Sequence, residues 1–67
     1  MGVYKIIDIV GTSTNSFSDA GKNAIIEAGK TVKKIKRAEV TKFDIKVEND
    51  KPVLFRAEMS IAFEIER

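Results

Sequence analysis

The sequence predicts one α+β domain over residues 1–67, with the element order strand, helix, strand, strand. Residues 3–10 are rich in β-branched and aromatic side chains, residues 17–35 repeat apolar side chains every three or four positions, and residues 53–65 alternate apolar with polar side chains. A right-handed crossover from the first strand to the second, followed by a hairpin, places the third strand between the other two. We therefore expect a three-stranded antiparallel sheet with one helix on one face.

The first strand and the start of the helix are both marked by local residue types. The odd positions of "VYKIIDIV", residues 3–10, share a largely apolar face. The next stretch, "GTSTNS", combines Gly11 with side chains that hydrogen-bond their own backbone, which predicts a turn. The Ser16 hydroxyl can then accept a hydrogen bond from the amide of Asp19, while the Asp19 carboxylate accepts one from the amide of Ser16. This capping box predicts that the helix begins here.

The helix is predicted to continue to Ile35, over roughly 28 Å. Its apolar stripe consists of Phe17, Ala20, Ala24, Ile25, Ala28, Val32 and Ile35. Gly21 and Gly29 fall close to this stripe. They either allow a strand or a neighbouring helix to approach closely or are tolerated surface positions.

A basic stretch follows, "TVKKIKR" at residues 31–37, and it has two interpretations. Lys30, Lys33, Lys34 and Lys36 fall on the last turns of the predicted helix, where cations stabilise the negative end of the helix dipole. A solvated basic helix end explains these lysines without a ligand. The same cluster is also suited to binding an anion, so the sequence leaves both interpretations open.

The second strand is predicted over residues 38–47, with a change of apolar phase inside it. Ala38 and Val40 share one face, whereas Phe43 and the alternate residues after it belong to the other face. A bulge near Thr41 would reconcile the two halves. The following "ENDKP" predicts a turn, because Asn and Asp tolerate unusual backbone angles.

The third strand alternates regularly from Val53 to Ile65. Thirteen residues at about 3.4 Å each reach ~44 Å, whereas a compact chain of this size has a diameter of only ~28 Å. The strand must therefore curve strongly or extend beyond its own subunit. The two open sheet edges, and the apolar side chains on the face away from the helix, predict self-association.

Composition narrows the function classes. Twelve basic and ten acidic residues leave a net charge of +2, and the chain has neither Cys nor His. Disulfides, Cys/His zinc sites, thiol catalysis and histidine acid–base chemistry are thereby excluded, and no enzyme is predicted. The "KKIKR" run suits nucleic acid, but the small net charge and the lack of a helix-turn-helix or zinc pattern make that partner a poor match. The sequence has neither a signal-peptide pattern nor a membrane span of ~20 apolar residues, which favours a cytoplasmic protein.

The chain resembles the dodecin family along essentially its whole length. The resemblance rests on "VYKIIDIVGTSTNSFSDA" at residues 3–20, on "EV" at residues 39–40 and on "SIAFEIE" at residues 60–66. It implies a β-α-β-β subunit whose curved antiparallel sheet wraps around the helix. It also implies a homododecamer, a hollow shell with cubic symmetry.

The resemblance also implies where a ligand would bind. Many dodecins bind riboflavin or its nucleotides as stacked pairs between tryptophans of two-fold-related subunits, with a glutamine on the last strand. These two positions are Arg37 and Arg56 in this sequence, which contains no Trp. A guanidinium can stack on a flat ring or bind phosphate and carboxylate. Flavin binding is therefore expected to be weakened or lost, and Arg37 and Arg56 are candidates for binding another anionic ligand.

Other interpretations of these residues remain. Arg37 and Arg56 could instead form salt bridges between subunits, and the candidate partners are Glu39, Glu58 and Glu64. A second group of dodecins also lacks the tryptophan and is associated with calcium, and this chain resembles it in its N-terminal half. Calcium requires several clustered oxygen ligands, and the spacing of the acidic residues predicts no such cluster; these residues are Asp8, Asp19, Glu39, Asp44 and Glu58. No metal site is predicted, calcium remains an alternative, and so does a scaffold without a ligand.

Overall fold

A computed structural model of the chain describes residues 2–65. Its elements are β1 (Tyr4–Ser13), α1 (Phe17–Ala28), β2 (Ile35–Glu48) and β3 (Lys51–Glu64). The sheet order is β1-β3-β2, and β3 is antiparallel to both neighbours. The predicted β-α-β-β topology with a central third strand is confirmed. Glu66, near the end of the "SIAFEIE" motif, lies outside the described residues.

The predicted turn at residues 11–13 is wrong, because β1 continues through it to Ser13. Gly11 pairs with Ala57 and faces the helix. A Cβ atom at position 11 would collide with the carbonyl oxygen of Ala20 and would lie 2.7 Å from the Cβ of Ala24. Gly11 is thus the glycine that lets the helix backbone approach the sheet, rather than a turn residue.

The helix begins as predicted, although only half of the capping box forms. The hydroxyl of Ser16 accepts the amide of Asp19 at 3.0 Å. The Asp19 carboxylate accepts from the side-chain amide of Asn15 at 3.5 Å, while the Ser16 amide donates to the hydroxyl of Ser13 at 3.4 Å. The end of β1 therefore supplies the partner that the capping box assigned to Asp19.

The helix ends at Ala28, seven residues before the predicted end. Gly29 donates its amide to the carbonyl of Ile25 at 2.9 Å, and Val32 donates to that of Ala28 at 2.8 Å, so residues 29–32 form turns that close the helix. Gly29, Thr31 and Val32 all have low helix propensity, which favours such a stop. The placement of the lysines on the last helical turns is wrong, since the last turn contains no basic residue.

Two features of the β2–β3 hairpin were predicted correctly. The register shifts between Val40 and Lys42, so Thr41 is the extra residue of the expected bulge. Its hydroxyl donates to the carbonyl of Glu58 at 3.0 Å. The connecting turn has positive φ at Asn49 (52°) and Asp50 (61°), the conformation for which Asn and Asp are suited.

The core lies between the helix and the adjoining half of the sheet. Ala20, Ala24, Ala57 and Met59 form its buried cluster. The ring of Phe17 closes one end, with centroids 4.7 Å from Phe43 and 5.1 Å from Phe55. The small side chains of the helix keep its backbone close to the strands.

The strands extend beyond the helix, as their length predicts. The chain measures 50 × 20 × 14 Å, with a radius of gyration of 13.7 Å, compared with ~11 Å for a compact chain of this size. Many large apolar side chains remain exposed in the single subunit; they include Val3, Tyr4, Ile6, Val10, Ile26, Phe43, Ile45 and Val47. Within residues 2–65, no helix has the length and apolarity needed to cross a bilayer.

Candidate ligand-binding site

The sheet face turned away from the helix, here called the outer face, contains both predicted site residues. Strand register arranges twelve of its side chains in four successive rows of three. The rows, each from β1 to β3 to β2, are Ile6–Ala62–Arg37, Asp8–Ser60–Glu39, Val10–Glu58–Lys42 and Thr12–Arg56–Asp44. The first row therefore has one charged side chain beside two apolar ones, whereas each of the other rows has two charged side chains.

A cavity of about 440 Å³ opens at the apolar end of the outer face. It is lined by Tyr4, Ile6, Lys36, Arg37 and Ala62, and is called the Tyr4–Arg37 cavity below. Tyr4 and Ile6 lie on β1 and are 55% and 59% exposed. The cations lie on β2, about 10 Å away across β3, at twice the usual strand spacing. The short side chain of Ala62 leaves the floor between them open.

A second bulge explains why two consecutive cations line one cavity. Neighbouring residues of a regular strand point to opposite faces. Here Ile35 pairs with Phe63 and Arg37 with Ala62, so two steps along β2 match one step along β3. Lys36 is the extra residue, and the local bend lets its side chain line the cavity together with that of Arg37.

The other three basic residues between positions 30 and 37 make contacts elsewhere. The ammonium group of Lys30 lies 2.7 Å from Glu27, and that of Lys33 donates to the carbonyl of Gly29 at 3.4 Å. Lys34 has a positive φ of 62° and accepts the amide of Glu64 at its carbonyl. Only the last two cations of the stretch reach the cavity, and within residues 2–65 neither of their side chains has a carboxylate partner.

Arg56 has different surroundings, because it is paired within its own chain. Its Nε donates to Oδ1 of Asp44 at 2.5 Å, and its Nη2 donates to Oδ2 at 3.1 Å. The guanidinium hydrogen bond lowers the pKa of Asp44, and the carboxylate in turn raises the pKa of Arg56. The expected partners of the two arginines were glutamates of other subunits, whereas the structure gives Arg56 an aspartate on the neighbouring strand.

The surroundings of this pair are balanced in charge. A depression of about 260 Å³ is lined by Val10, Lys42, Asp44, Arg56 and Glu58. Lys42 stands opposite Glu58, and Asp44 stands opposite Arg56, so the two acidic and two basic side chains alternate. Each cation here stands opposite a carboxylate on the neighbouring strand, whereas Arg37 stands opposite Ala62.

The structure places Arg37 and Arg56 on the same face but does not bring them together within a subunit. Arg37 pairs with Ala62 on β3, and Ala62 lies six positions from Arg56 along that strand. This spacing corresponds to roughly 20 Å. The sequence interpretation named only Arg37 as a ligand-binding residue and missed the other four residues that line the cavity. Tyr4 is the only Tyr of the chain, but nothing in the sequence linked it to Arg37.

The described carboxylates of one subunit do not form a calcium site. Asp8 accepts a hydrogen bond from the hydroxyl of Ser60 at 2.7 Å, and Glu39 lies on the other side of that residue. Over residues 2–65, no three acidic side chains approach closely enough to hold a metal ion. Calcium takes 6–8 oxygen ligands, which is more than the described carboxylates of one subunit bring together.

Comparison with known proteins decides the family. The sequence model of the dodecin family matches residues 3–66. The chain belongs to the dodecin family. Among curated proteins, the calcium dodecin of Mycobacterium tuberculosis is 34% identical over 65 residues, which span 97% of this chain and 92% of that protein.

Solved structures of dodecins share the fold. The dodecin of Streptomyces coelicolor superimposes with a TM-score of 0.95 at 26% identity, covering 98% of this chain and 94% of that one. The calcium dodecin of Mycobacterium tuberculosis, a calcium-chelating antigen with a calcium-binding site, has a TM-score of 0.85 at 33% identity, covering 96% and 91%. This dodecin is thus similar in fold to relatives with which it shares between a quarter and a third of its residues.

Proposed function

We propose that this dodecin is a self-assembling protein that binds a small anionic ligand with a flat ring. The observation that supports the proposal is the Tyr4–Arg37 cavity, because it combines an aromatic ring, an apolar floor and two cations that have no carboxylate partner within residues 2–65. Ligand sites in proteins are concave, largely apolar and provided with a few polar groups that orient the ligand. Arg37 is also the position at which the family resemblance implies a stacking tryptophan.

The cavity residues indicate a ligand that has two parts, a ring and an anionic substituent. Tyr4, Ile6 and Ala62 offer apolar contact to a ring lying over β3. The Arg37 guanidinium can stack on that ring and still donate hydrogen bonds in its own plane to an anionic substituent. An uncharged flavin uses only the stacking, and a guanidinium covers less of the ring than an indole. Riboflavin should therefore bind more weakly here than between two tryptophans.

Self-assembly follows from what a single subunit leaves exposed. The outer strands β1 and β2 both have free edges, and the distal hairpin exposes Phe43, Ile45 and Val47. Contiguous exposed apolar surface and open strand edges favour association with further copies. The family resemblance makes twelve the expected number. A second copy facing the outer face would close the open side of the Tyr4–Arg37 cavity.

Binding without catalysis is expected, since the chain has no Cys or His to serve as nucleophile or base. Arg56 is proposed to stabilise the sheet surface through its ion pair with Asp44 rather than to bind the ligand. The cytoplasmic location expected from the sequence stays a prediction.

Native mass spectrometry of the purified protein tests the proposal. We expect a mass of twelve subunits and, after denaturation, a released compound that absorbs as an aromatic ring and carries negative charge. Where no compound is released, titration with ring-bearing anions provides the second test, with the Arg37→Met variant as the control. A monomer would contradict the assembly. A dodecamer that takes up none of these anions would contradict the ligand.

Calcium binding is the second candidate function, and the 34% identity to a calcium dodecin favours it. The described carboxylates of one subunit do not cluster in the way that calcium requires. The candidate therefore depends on residues such as Asp8 and Glu39 from several copies. Calorimetric titration of the assembled protein with calcium, and with magnesium as the control, tests it. Saturable calcium binding that is lost in the Asp8→Asn or Glu39→Gln variant would support this candidate, whereas no heat in the wild type would contradict it.

A further inference from the structure

We propose that this dodecin binds the phosphate backbone of nucleic acids through residues 29–37, here called the basic segment. This segment carries five positive charges and no negative one, whereas the rest of the chain carries seven positive and ten negative charges. The net charge of +2 is therefore the balance of a basic segment and an acidic remainder. Sequence-independent binding to phosphates depends on such a local concentration of cations and needs neither a helix-turn-helix nor a zinc motif.

The structure removes the explanation that a helix end would give for most of these cations. α1 ends at Ala28, before the first of them, and its last turn contains no basic residue. Lys36 and Arg37 lie on β2. The effect of a helix dipole is confined to the last turn, so it can stabilise Lys33, which donates to the carbonyl of Gly29, but not the two cations of β2.

The basic segment is anchored by its backbone and by two apolar side chains. Val32 donates its amide to the carbonyl of Ala28 at 2.8 Å, and the carbonyl of Lys34 accepts the amide of Glu64 at 3.1 Å. Val32 and Ile35 are partly buried, whereas all five cations of the segment are exposed. Rigid presentation lowers the entropy that binding costs. The charges are therefore available to a partner without reordering of the chain.

The arrangement of the cations suits a row of phosphates better than one small anion. Lys36 and Arg37 line the Tyr4–Arg37 cavity, whereas Lys30 and Lys33 lie outside it. A small anion in the cavity would therefore not contact the latter two. Duplex DNA carries one negative charge per about 1.7 Å of its length, so its backbone can meet several of these side chains at once. A polymeric anion thus uses more of the basic segment than a ligand of the cavity does.

The intrachain contacts of Lys30 and Lys33 leave both charges open to a partner. The ammonium group of Lys30 lies 2.7 Å from Glu27, but the two side chains are 65% and 71% exposed, and exposed ion pairs stabilise little. The ammonium group of Lys33 donates to a neutral carbonyl at 3.4 Å, which does not compensate its charge. Phosphates that replace the counterions around such cations release them, and this release favours binding at low salt.

The test is titration of the full chain, in its native assembly, into a short fluorescently labelled DNA duplex of mixed sequence, followed by anisotropy at several salt concentrations. If about three of the five side chains contact phosphates, the logarithm of the affinity should fall against the logarithm of the salt concentration with a slope of about −3 or steeper. The double variant Lys33→Met and Lys36→Met should have a slope shallower by about 2 and should lose about tenfold or more in affinity at low salt. No binding by wild type at low salt would overturn the proposal.

The matched control is the double variant Lys46→Met and Lys51→Met, which removes two positive charges from the two strands of the distal hairpin. It should keep the affinity within about twofold of wild type and leave the slope unchanged, because its charges lie outside the basic segment. Equal losses in the two double variants would show an effect of net charge and would overturn the basic segment as the contact. Native mass spectrometry verifies that each variant assembles as wild type does.

Two further measurements separate this partner from other anions. Lys33 lies outside the Tyr4–Arg37 cavity, so Lys33→Met alone should weaken DNA binding by about 3- to 5-fold and leave the affinity for ring-bearing anions unchanged. DNA binding can thus fail while the proposed ring ligand stands, and the reverse. Sedimentation with vesicles of phosphatidylserine and phosphatidylcholine tests the other anionic partner. Binding to these vesicles without binding to the duplex would assign the basic segment to a membrane surface and overturn the nucleic-acid proposal.

Discussion

The two ends of the outer face contain the same residue type in opposite circumstances. Arg37 stands in a row with Ile6 and Ala62, neither of which has a polar side chain. Arg56 stands in a row with Asp44 and is held by two hydrogen bonds. Both arginines project from adjacent strands of one sheet, so backbone position alone does not separate them. The residue on the neighbouring strand decides which guanidinium is structural and which is available to a ligand.

Replacing Arg37 gives the largest expected effect. Arg37→Met retains an apolar stem but removes the charge and the planar donors. Its affinity for flavin mononucleotide should fall by about 10- to 100-fold in fluorescence quenching. Arg56→Met is the matched control and should change that affinity by less than about twofold. A larger loss in Arg56→Met than in Arg37→Met would reverse the comparison.

Removal of the Tyr4 ring, at the same end of the outer face, should lower ligand affinity by a smaller factor. Tyr4→Leu keeps apolar contact but loses the aromatic face. Riboflavin and flavin mononucleotide should therefore both bind about 3- to 10-fold more weakly. Tyr4→Phe keeps the ring and should bind as wild type in the same titration. If Tyr4→Phe were as weak as Tyr4→Leu, the hydroxyl rather than the ring would be the contact.

At the other end, breaking the ion pair should change stability slightly and binding not at all. Asp44→Asn replaces a doubly hydrogen-bonded carboxylate whose side chain is 46% exposed, and exposed pairs stabilise little. We expect the melting temperature in calorimetry to fall by roughly 1–4 °C. In an Arg56→Met background the same change should have almost no effect. An equal loss in both backgrounds would show that Asp44 acts through something other than Arg56.

The smallest expected effect is the pH dependence of the difference in melting temperature between wild type and Asp44→Asn. The hydrogen bond from Arg56 lowers the pKa of Asp44 in the folded chain. Its stabilising contribution is therefore fully present above the ordinary aspartate pKa of about 3.9, and is lost as the pH falls through the lowered value. The melting-temperature difference between wild type and Asp44→Asn should be constant from pH 7 to 5 and shrink below about pH 4. A difference that persists at lower pH would contradict this assignment.

Much of the fold could be predicted from sequence because its signals are local. The alternation in residues 53–65, the Ser16 cap and the Asn49–Asp50 turn each depend on neighbouring residues. One of the errors has a local cause, and the other occurred where a distant element decides. Val32 and Ile35 continued the helical spacing, but turns closed by Gly29 and its neighbours end the helix earlier. Gly11 has the composition of a turn, yet its role is set by Ala20 in the helix packed above it.

The candidate site was only partly predictable, because residues distant in sequence decide its contacts. The family resemblance directed attention to Arg37 and Arg56, and both lie on the outer face. Their different partners depend on cross-strand register, which places Asp44 beside one arginine and Ala62 beside the other. Lys36 was predicted to belong to the helix end. Its place in the cavity depends on a bulge that neighbouring sequence does not signal.

The pairing of the first and last strands brings the two ends of the described chain together. The amide of Ile65 donates to the carbonyl of Val3 at 2.8 Å. The Asn49–Asp50 turn lies at the far tip of the hairpin. A chain joined by a short linker near Val3 and Ile65 and reopened at that turn would keep all of its strand pairings, which circular dichroism and native mass would verify. Such a circular permutant would present its new termini at the opposite end of the subunit from the cavity, and a passenger protein fused there would be displayed without covering the ligand.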